Sequence, residues 1–336
     1  WTRPSVASIF TGLLPAHHGS IGQGRGLAPS LMTLAEHFAD EGYETRAVVT
    51  NSIIPASMGF DQGFSVYQHL PEKLDTRSVY VDSAVVNDHI KQWLSSRSDE
   101  PFFLYVHTSD PHFPYTPGPS REAIPGEVGG HEFMGRLREG RIEDPASYRA
   151  ELLDRYQQEV AANLSHFAAL RALLPEGTVV VFTSDHGEEF LEHGGWEHGS
   201  TLFGEMLDVP LVFYGTGHSP GKREVGRHVD VLPTLLGLLW RPLLEPIDGV
   251  DLFQEHPTRN IAHLGHAENQ QDAIEANSMK LIANRTSGET SLYDRKDDPG
   301  EQRPVQDPER EQALLEWLDA SRAVSYTHLT LPTTYT

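Results

Sequence analysis

Ser184-Asp-His-Gly-Glu-Glu-Phe-Leu-Glu-His-Gly-Gly-Trp-Glu-His-Gly199 is the stretch on which the reading of this chain turns. It follows Gly177-Thr-Val-Val-Val-Phe-Thr183, a short β-branched run that reads as a buried strand. Asp185 and His186, adjacent at the end of that strand and followed by a glycine, are a natural pair of metal ligands. Carboxylate oxygen and imidazole nitrogen together suit Zn, Mn or a similar divalent ion. The carboxyl end of a strand in an open α/β sheet is also where such folds place their chemistry. A single histidine is usually structural, but His186, His193 and His198 with Asp185 fall within fourteen residues, in a glycine-rich segment that lets backbone approach a ligand. These residues point to a metal-dependent enzyme.

Outward from this stretch, strands and helices alternate, which predicts a largely parallel sheet covered on both faces. Helices are predicted over 31–41, 78–96 and 147–174, and from Asp230, which is placed to be an N-cap. Strands are predicted over 45–50, 101–107, 177–183 and 209–214. Residues 114–147 are rich in Pro, Gly and charge and read as a long excursion of the kind that shapes binding sites. Past about residue 255 the texture changes to short strands (260–264, 279–284, 291–293) and one helix, 308–322. Residues 1–255 therefore read as a catalytic domain and 256–323 as a small C-terminal α+β subdomain, while 324–336, uncharged and unlike the rest, read as a non-native tail resembling translated adapter sequence.

Composition limits the function classes. The 336 residues carry 26 basic and 48 acidic side chains, a net charge of -22, which argues against nucleic acid as a partner. An anionic substrate would have to be drawn in by local positive charge against that global field. No apolar run approaches the roughly 20 residues that span a bilayer. There is no cysteine, so disulfide and thiolate chemistry are excluded. The sequence opens at Trp1 without an initiator Met, so a signal peptide is not readable from it.

Two further segments carry polar residues in suggestive places. Thr2-Arg-Pro-Ser5 has two hydroxyls near a helix start, with Pro4 suited to the first turn; a helix N-terminus stabilises an anion and aids a hydroxyl nucleophile, and ordinary capping is the plain alternative. His107-Thr-Ser-Asp-Pro-His-Phe-Pro-Tyr115 follows an apolar strand, where two His and an Asp either orient a substrate oxygen or build a structural turn.

Taken in order, Thr2-x-Pro4-Ser5, Thr11-Gly12-Leu13, Pro15-x-x-His18-Gly19, the 101–115 strand and loop, Ser184-Asp185-His186-Gly187-Glu188, Asp230-Val-Leu-Pro-Thr-Leu-Leu and Leu292-Tyr-Asp294 with Asp298-Pro-Gly-Glu301 resemble the sulfatase branch of the alkaline phosphatase superfamily. The resemblance implies an alkaline-phosphatase-like α/β mixed sheet flanked by helices. It places Thr2 at the nucleophile, also touching the metal, and Asp185 and His186 as metal ligands. His112 and His198 fall at catalytic positions against the transferred group or leaving oxygen, and His107, Arg3 and Ser5 at substrate-binding positions, with Arg3, Ser5 and His18 holding the nucleophile turn.

The implied cofactor is a divalent metal, Ca, Mn or Zn. The implied partner is a small-molecule, glycan-linked or lipid-linked sulfate or phosphate ester, and the implied compartment is periplasmic or otherwise extracytoplasmic. The sequence departs from the family at two points. The formylglycine precursor Cys or Ser is Thr2 and the Arg of that motif is Val6, so the aldehyde hydrate is not accessible. The metal-binding Asp residues that the family carries upstream of the nucleophile are not within the sequence, which leaves the implied metal site incomplete and this fragment inactive. The reading is a metal-dependent hydrolase of sulfate or phosphate/phosphonate esters with a Thr nucleophile. Its alternatives are a phosphoethanolamine- or glycerophosphate-type transferase and a catalytically silent pseudoenzyme.

Overall fold

A computed structural model of the protein describes residues 1–22, 24–70, 81–115, 126, 128–241, 246–265 and 269–323. Its elements run α1 (Thr2–Thr11), α2 (Pro15–His18), α3 (Leu34–Asp40), β1 (Glu44–Val49), β2 (Val66–His69), α4 (Ser83–Ser96), β3 (Phe102–His107), α5 (His131–Arg138) and α6 (Arg149–Leu173). They continue through β4 (Val180–Thr183), β5 (Glu189–Phe190), β6 (Trp196–Glu197), α7 (Gly204–Leu207), β7 (Leu211–Tyr214), α8 (Val231–Leu238), β8 (Arg259–Gly265), β9 (Gln270–Ala276), β10 (Met279–Asn284), β11 (Thr290–Asp294) and α9 (Pro308–Ala323). The fold is mixed α/β, and it divides into two compact units. One comprises 1–34, 179–188 and the chain from 198 onward; the other comprises 35–178 and 189–197.

The second unit is built on a parallel sheet of order β2-β1-β3. Val86, Ile90 and Trp93 on one stripe of α4 pack with Val48, Leu104 and Val106, while Phe38 stacks on Phe103 with ring centroids 4.6 Å apart. Asp82 starts α4 by accepting from the Ala84 amide at 2.6 Å, a side-chain cap for an otherwise orphaned donor. The predicted start of that helix at residue 78 lies outside the described residues. The predicted excursion over 114–147 carries α5, whose Phe133, Met134 and Leu137 join Tyr115, Leu152 and Phe190 in a separate apolar cluster; residues 116–125 and 127 lie outside the described set.

In the first unit β4 pairs with β7, and the pairing is antiparallel. The expected parallel sheet is the β2-β1-β3 sheet of the second unit, and the antiparallel β4–β7 pair agrees with the mixed α/β sheet that the resemblance implies. The connection from β4 to β7 has only the four-residue α7 as helix, and an antiparallel neighbour needs no covering crossover helix. Residues 259–294 form an antiparallel sheet of order β11-β10-β9-β8, covered by Leu314 and Leu318 of α9. β9 has no counterpart among the predicted strands. Its sequence, Gln-Gln-Asp-Ala-Ile-Glu-Ala, carries a buried Asp272 and a half-buried Glu275, each paired with arginines further along the chain.

Asp230 is the N-cap residue of α8, as expected, but its side chain makes no cap hydrogen bond to the helix. Its carboxylate takes the Arg227 amide, the Arg227 guanidinium and the Val250 amide, closing the turn that precedes the helix. The tail from 324 lies outside the described residues.

Lys280 and Glu301 are both buried, with Lys280 Nζ 2.9 and 3.0 Å from the two carboxylate oxygens. Arg295 Nε adds a third contact at 3.0 Å, and the Gly204 amide donates to the same carboxylate. Removing one member of a buried ion cluster leaves its partner undercompensated. Lys280→Met is expected to lower unfolding stability by about 3 kcal/mol, read by denaturant titration. A change below about 1 kcal/mol would show that Arg295 alone satisfies Glu301.

Candidate active site

The polar centre of the first unit rests on α1, in which only Ser5 is not fully buried. Gly12 ends the helix at φ 67°, its amide donating to Ser8 O, and a Cβ there would sit 3.0 Å from Ile247 Cδ1. Asp248 then secures the following turn. Its carboxylate accepts from the Leu14 amide at 2.7 Å and from His17 Nδ1 at 2.6 Å, and its own amide donates to Gly12 O at 2.9 Å.

His17 Nε2 reaches Ser321 O in α9 at 2.7 Å, so both ring nitrogens donate and the imidazolium is favoured. The Asp248 hydrogen bond, against burial, raises its pKa from the ordinary value. His18 is the opposite case. Its Nδ1 accepts from the Ser20 amide and its Nε2 lies 3.2 Å from Ser8 Oγ, and burial pushes it down to about 3, so it holds α1 as a neutral ring. Arg3 is buried, donating to Gly22 O at 2.8 Å with its guanidinium over the Trp1 ring.

At the end of β4 the chain turns sharply. Gly187 donates to Met206 O, and a Cβ on it would fall 1.9 Å from Glu205 O, so no side chain is tolerated there. His186 Nδ1 is 2.8 Å from Gly187 O and must donate to it, which leaves the lone pair on Nε2. That nitrogen lies 3.4 Å from Thr2 Oγ1 and 3.5 Å from Asp185 Oδ2. Burial, reinforced by nearby His198, pushes His186 down to about 3.

The His198 ring packs at 4.1 Å from that of His186, and its Nδ1 is 2.8 Å from Glu188 Oε1. Burial disfavours its charged form, but the Glu188 hydrogen bond and charge outweigh it and the pKa is raised. His228 Nε2 donates to Ser184 O at 2.9 Å, bracing the same turn, and burial lowers its pKa.

The structure thus gathers Thr2, Asp185, His186 and His198 around one point. It adds His228, which the sequence reading did not single out, and Glu188, which that reading placed in the motif without giving it a role. Glu188 had a local signal, a carboxylate two residues beyond His186; His228 had none, because its role depends on a chain reversal of 44 residues. Ser5 and Ser8 line the wall of an adjoining cleft of about 2200 Å3 that also takes in Asp185, His186 and β8.

His107 and His112 belong to the second unit. His107 closes β3 with its Nδ1 3.2 Å from the Tyr105 hydroxyl, and His112 Nδ1 donates to Phe113 O at 2.8 Å. Asp110, between them, is taken up by the Ser83 amide and the Asn163 side chain. Among the described residues no group of three or more His, Asp or Glu gathers as a metal cluster. The convergence is of one imidazole, one carboxylate and one hydroxyl, a donor set that fits part of a divalent ion's shell. The tautomer of His186 also matches a metal-binding imidazole, whose other nitrogen donates to a carbonyl.

This fold and centre define an alkaline-phosphatase-like α/β protein. The chain belongs to the sulfatase family, whose model matches residues 1–240. It is 28% identical over 276 residues to a low-salt glycan biosynthesis sulfotransferase of Haloferax volcanii, covering 76% of this chain and 56% of that protein, so it spans little over half of that relative. It is 22% identical to an uncharacterized sulfatase of Escherichia coli, over 95% of this chain and 78% of that one. Among solved structures, the phosphonate monoester hydrolase of Agrobacterium radiobacter aligns with a TM-score of 0.76 at 17% identity, covering 97% of this chain and 86% of that one. A protein solved with its substrate D-glucosamine-2-N,6-O-disulfate aligns at 0.75 and 17% identity, covering 98% and 89%.

Two outcomes are expected. Gly187→Ala should destabilise the protein by about 1–3 kcal/mol through backbone displacement, measured by denaturant titration; an unchanged midpoint would mean that the turn relaxes freely. For His17 the folded pKa is raised, so its contribution is fully present below the unfolded value and is lost as pH rises through the folded one. The melting-temperature gap between wild type and His17→Leu should be widest near pH 5.5 and close at alkaline pH. A gap that widens with pH would contradict the clasp.

Proposed function

We propose that this protein cleaves sulfate or phosphate/phosphonate esters by nucleophilic attack of Thr2. The observation that carries the reading is the placement of Thr2 Oγ1 at the start of a buried helix, 3.4 Å from the lone-pair nitrogen of His186. A helix N-terminus favours developing negative charge, both on the attacking oxygen and on the group it attacks. Asp185, His186 and the Thr2 hydroxyl would hold a divalent cation, Ca, Mn or Zn, which when bound supplies Lewis-acid polarisation.

Thr2 Oγ1 loses its proton and forms a bond to sulfur or phosphorus as the bond to the alcohol oxygen breaks. His198, fixed through Nδ1 by Glu188, turns its other nitrogen to the transferred group or the leaving oxygen, which departs as the alcohol with a proton that balances the one lost by Thr2. Water then splits the threonyl ester, releasing sulfate, phosphate or phosphonate and restoring the hydroxyl. Arg3, His18 and Asp248 act at one remove by keeping α1 and its turn in place.

Support for the ester class comes from family membership and from what the neighbours are named for: one was solved with a glucosamine disulfate as its substrate, and another is a phosphonate monoester hydrolase. A transferase reading differs in one step only, an acceptor alcohol replacing water, and the sulfotransferase name of the Haloferax relative keeps that reading in play.

The test pairs aryl sulfate, phosphate monoester, phosphodiester and phosphonate monoester substrates with Ca-, Mn- and Zn-loaded protein. Thr2→Ala is expected to lose turnover about a thousand-fold or more and Thr2→Ser to retain part of it. Asp185→Asn should reduce bound metal, read by elemental analysis. Turnover that survives in Thr2→Ala would overturn the nucleophile assignment, and metal bound without turnover of any substrate would leave a binding protein of the same fold.

A further inference from the structure

α7 is a single turn of four residues, too short to hold itself, since the first turn of a helix fixes several dihedrals for one hydrogen bond. Yet two of its carbonyls bear on the turn that carries His186. Glu205 O stands 1.9 Å from where a Cβ on Gly187 would be, and Met206 O accepts the Gly187 amide at 2.9 Å. Gly187 in turn gives its own carbonyl to His186 Nδ1 at 2.8 Å, which leaves Nε2 beside Thr2 Oγ1 and Asp185 Oδ2.

Both ends of α7 are tied to one ion cluster of the C-terminal sheet. At its start the Gly204 amide, a donor that the turn itself leaves without a carbonyl, gives its hydrogen to Glu301 Oε2 at 3.2 Å. At its end Asp208, whose amide donates to Gly204 O at 2.8 Å, accepts the Arg295 guanidinium with both carboxylate oxygens. Arg295 joins the two ties, its Nε 3.0 Å from Glu301 Oε1 and its Nη1 2.8 Å from Glu275 Oε2 on β9. Lys280 on β10 holds both oxygens of Glu301. The fit is close: a Cβ on Gly204 would stand 3.0 Å from Asp208 Oδ2 and 3.3 Å from Arg295 Nη2. Lys280 and Glu301 are buried, so the anchor is fixed by packing as well as by charge.

We infer that Glu301 and Arg295 are positioning residues for His186: by pinning the two ends of α7 they set the Glu205 and Met206 carbonyls, and through Gly187 the direction of His186 Nε2. Lys280 serves to compensate Glu301 and does not itself reach α7. The inference rests on the reading of His186 as a metal ligand of the proposed ester-cleaving centre.

The test sets stability against positioning. Lys280→Met keeps both ties of α7 but leaves Glu301 undercompensated. Lys280→Met/Glu301→Leu removes the buried pair as a whole, which should restore most of the unfolding midpoint that the single variant loses, while the Gly204 amide is left without its acceptor. Asp208→Ala cuts the other tie at an exposed side chain and is expected to fold as wild type. In metal-free protein the His186 Nδ1 proton resonance should move in the double variant and in Asp208→Ala and stay in place in Lys280→Met. Zinc affinity, read by calorimetry, should fall about 3- to 10-fold in the first two and stay at the wild-type value in the third. Asp208→Ala decides alone if the double variant does not fold. A resonance and an affinity that follow the unfolding midpoint across the variants, or that stay unchanged in the double variant and in Asp208→Ala, would overturn the inference. A moved resonance in a protein whose wild type binds no zinc would uphold the tie to His186 and reject the metal reading. Zinc bound equally by every form would keep that reading and reject the inference.

Discussion

The close approach of Gly187 to the Glu205 carbonyl is the constraint on which the centre depends. It sets the chain direction after β4, and the Gly187 carbonyl then takes the Nδ1 hydrogen of His186. With that hydrogen committed, Nε2 has only a lone pair to offer, and it offers it beside Thr2 Oγ1 and Asp185 Oδ2. Any side chain at 187 would move the carbonyl that chooses the tautomer. A steric fact of the backbone is converted in this way into a chemical property of an imidazole.

The same device recurs with different outcomes at four other histidines. His17 has an acceptor at both nitrogens and its pKa is raised; His18 accepts at one nitrogen and burial pushes it down to about 3. His198 is tied to a carboxylate and raised, and His228 is tied to a carbonyl and lowered by burial. In a chain of net charge -22, these local surroundings and not the global field set the direction of each shift.

Much of the fold was legible because its elements follow simple periodicities. The apolar runs ending at His107 and Thr183 are strands, and the 147–174 pattern is a helix that the structure bounds at Arg149 and Leu173. β9 was missed because it reads as polar, while Asp272 and Glu275 find their arginines at positions 285, 322 and 295; Asp230 is the N-cap position it was expected to be, but its carboxylate is spent on Arg227 and Val250. Local pattern does not register a charge that is neutralised from elsewhere.

For the site, the sequence by itself determined the residue types and their order: a hydroxyl before Pro4, the Asp185-His186-Gly187 turn, and His198 twelve residues on. Those choices are written in adjacent residues, because a strand end and a helix start are local events. Only the tertiary structure decided which atoms meet. Thr2 and His186 are 184 positions apart, and Glu188 became the partner of His198. The physical reason is that hydrogen-bond direction, and with it tautomer and charge, is set by whatever atoms the packed chain brings within 3 Å or so, which no spacing along the sequence encodes.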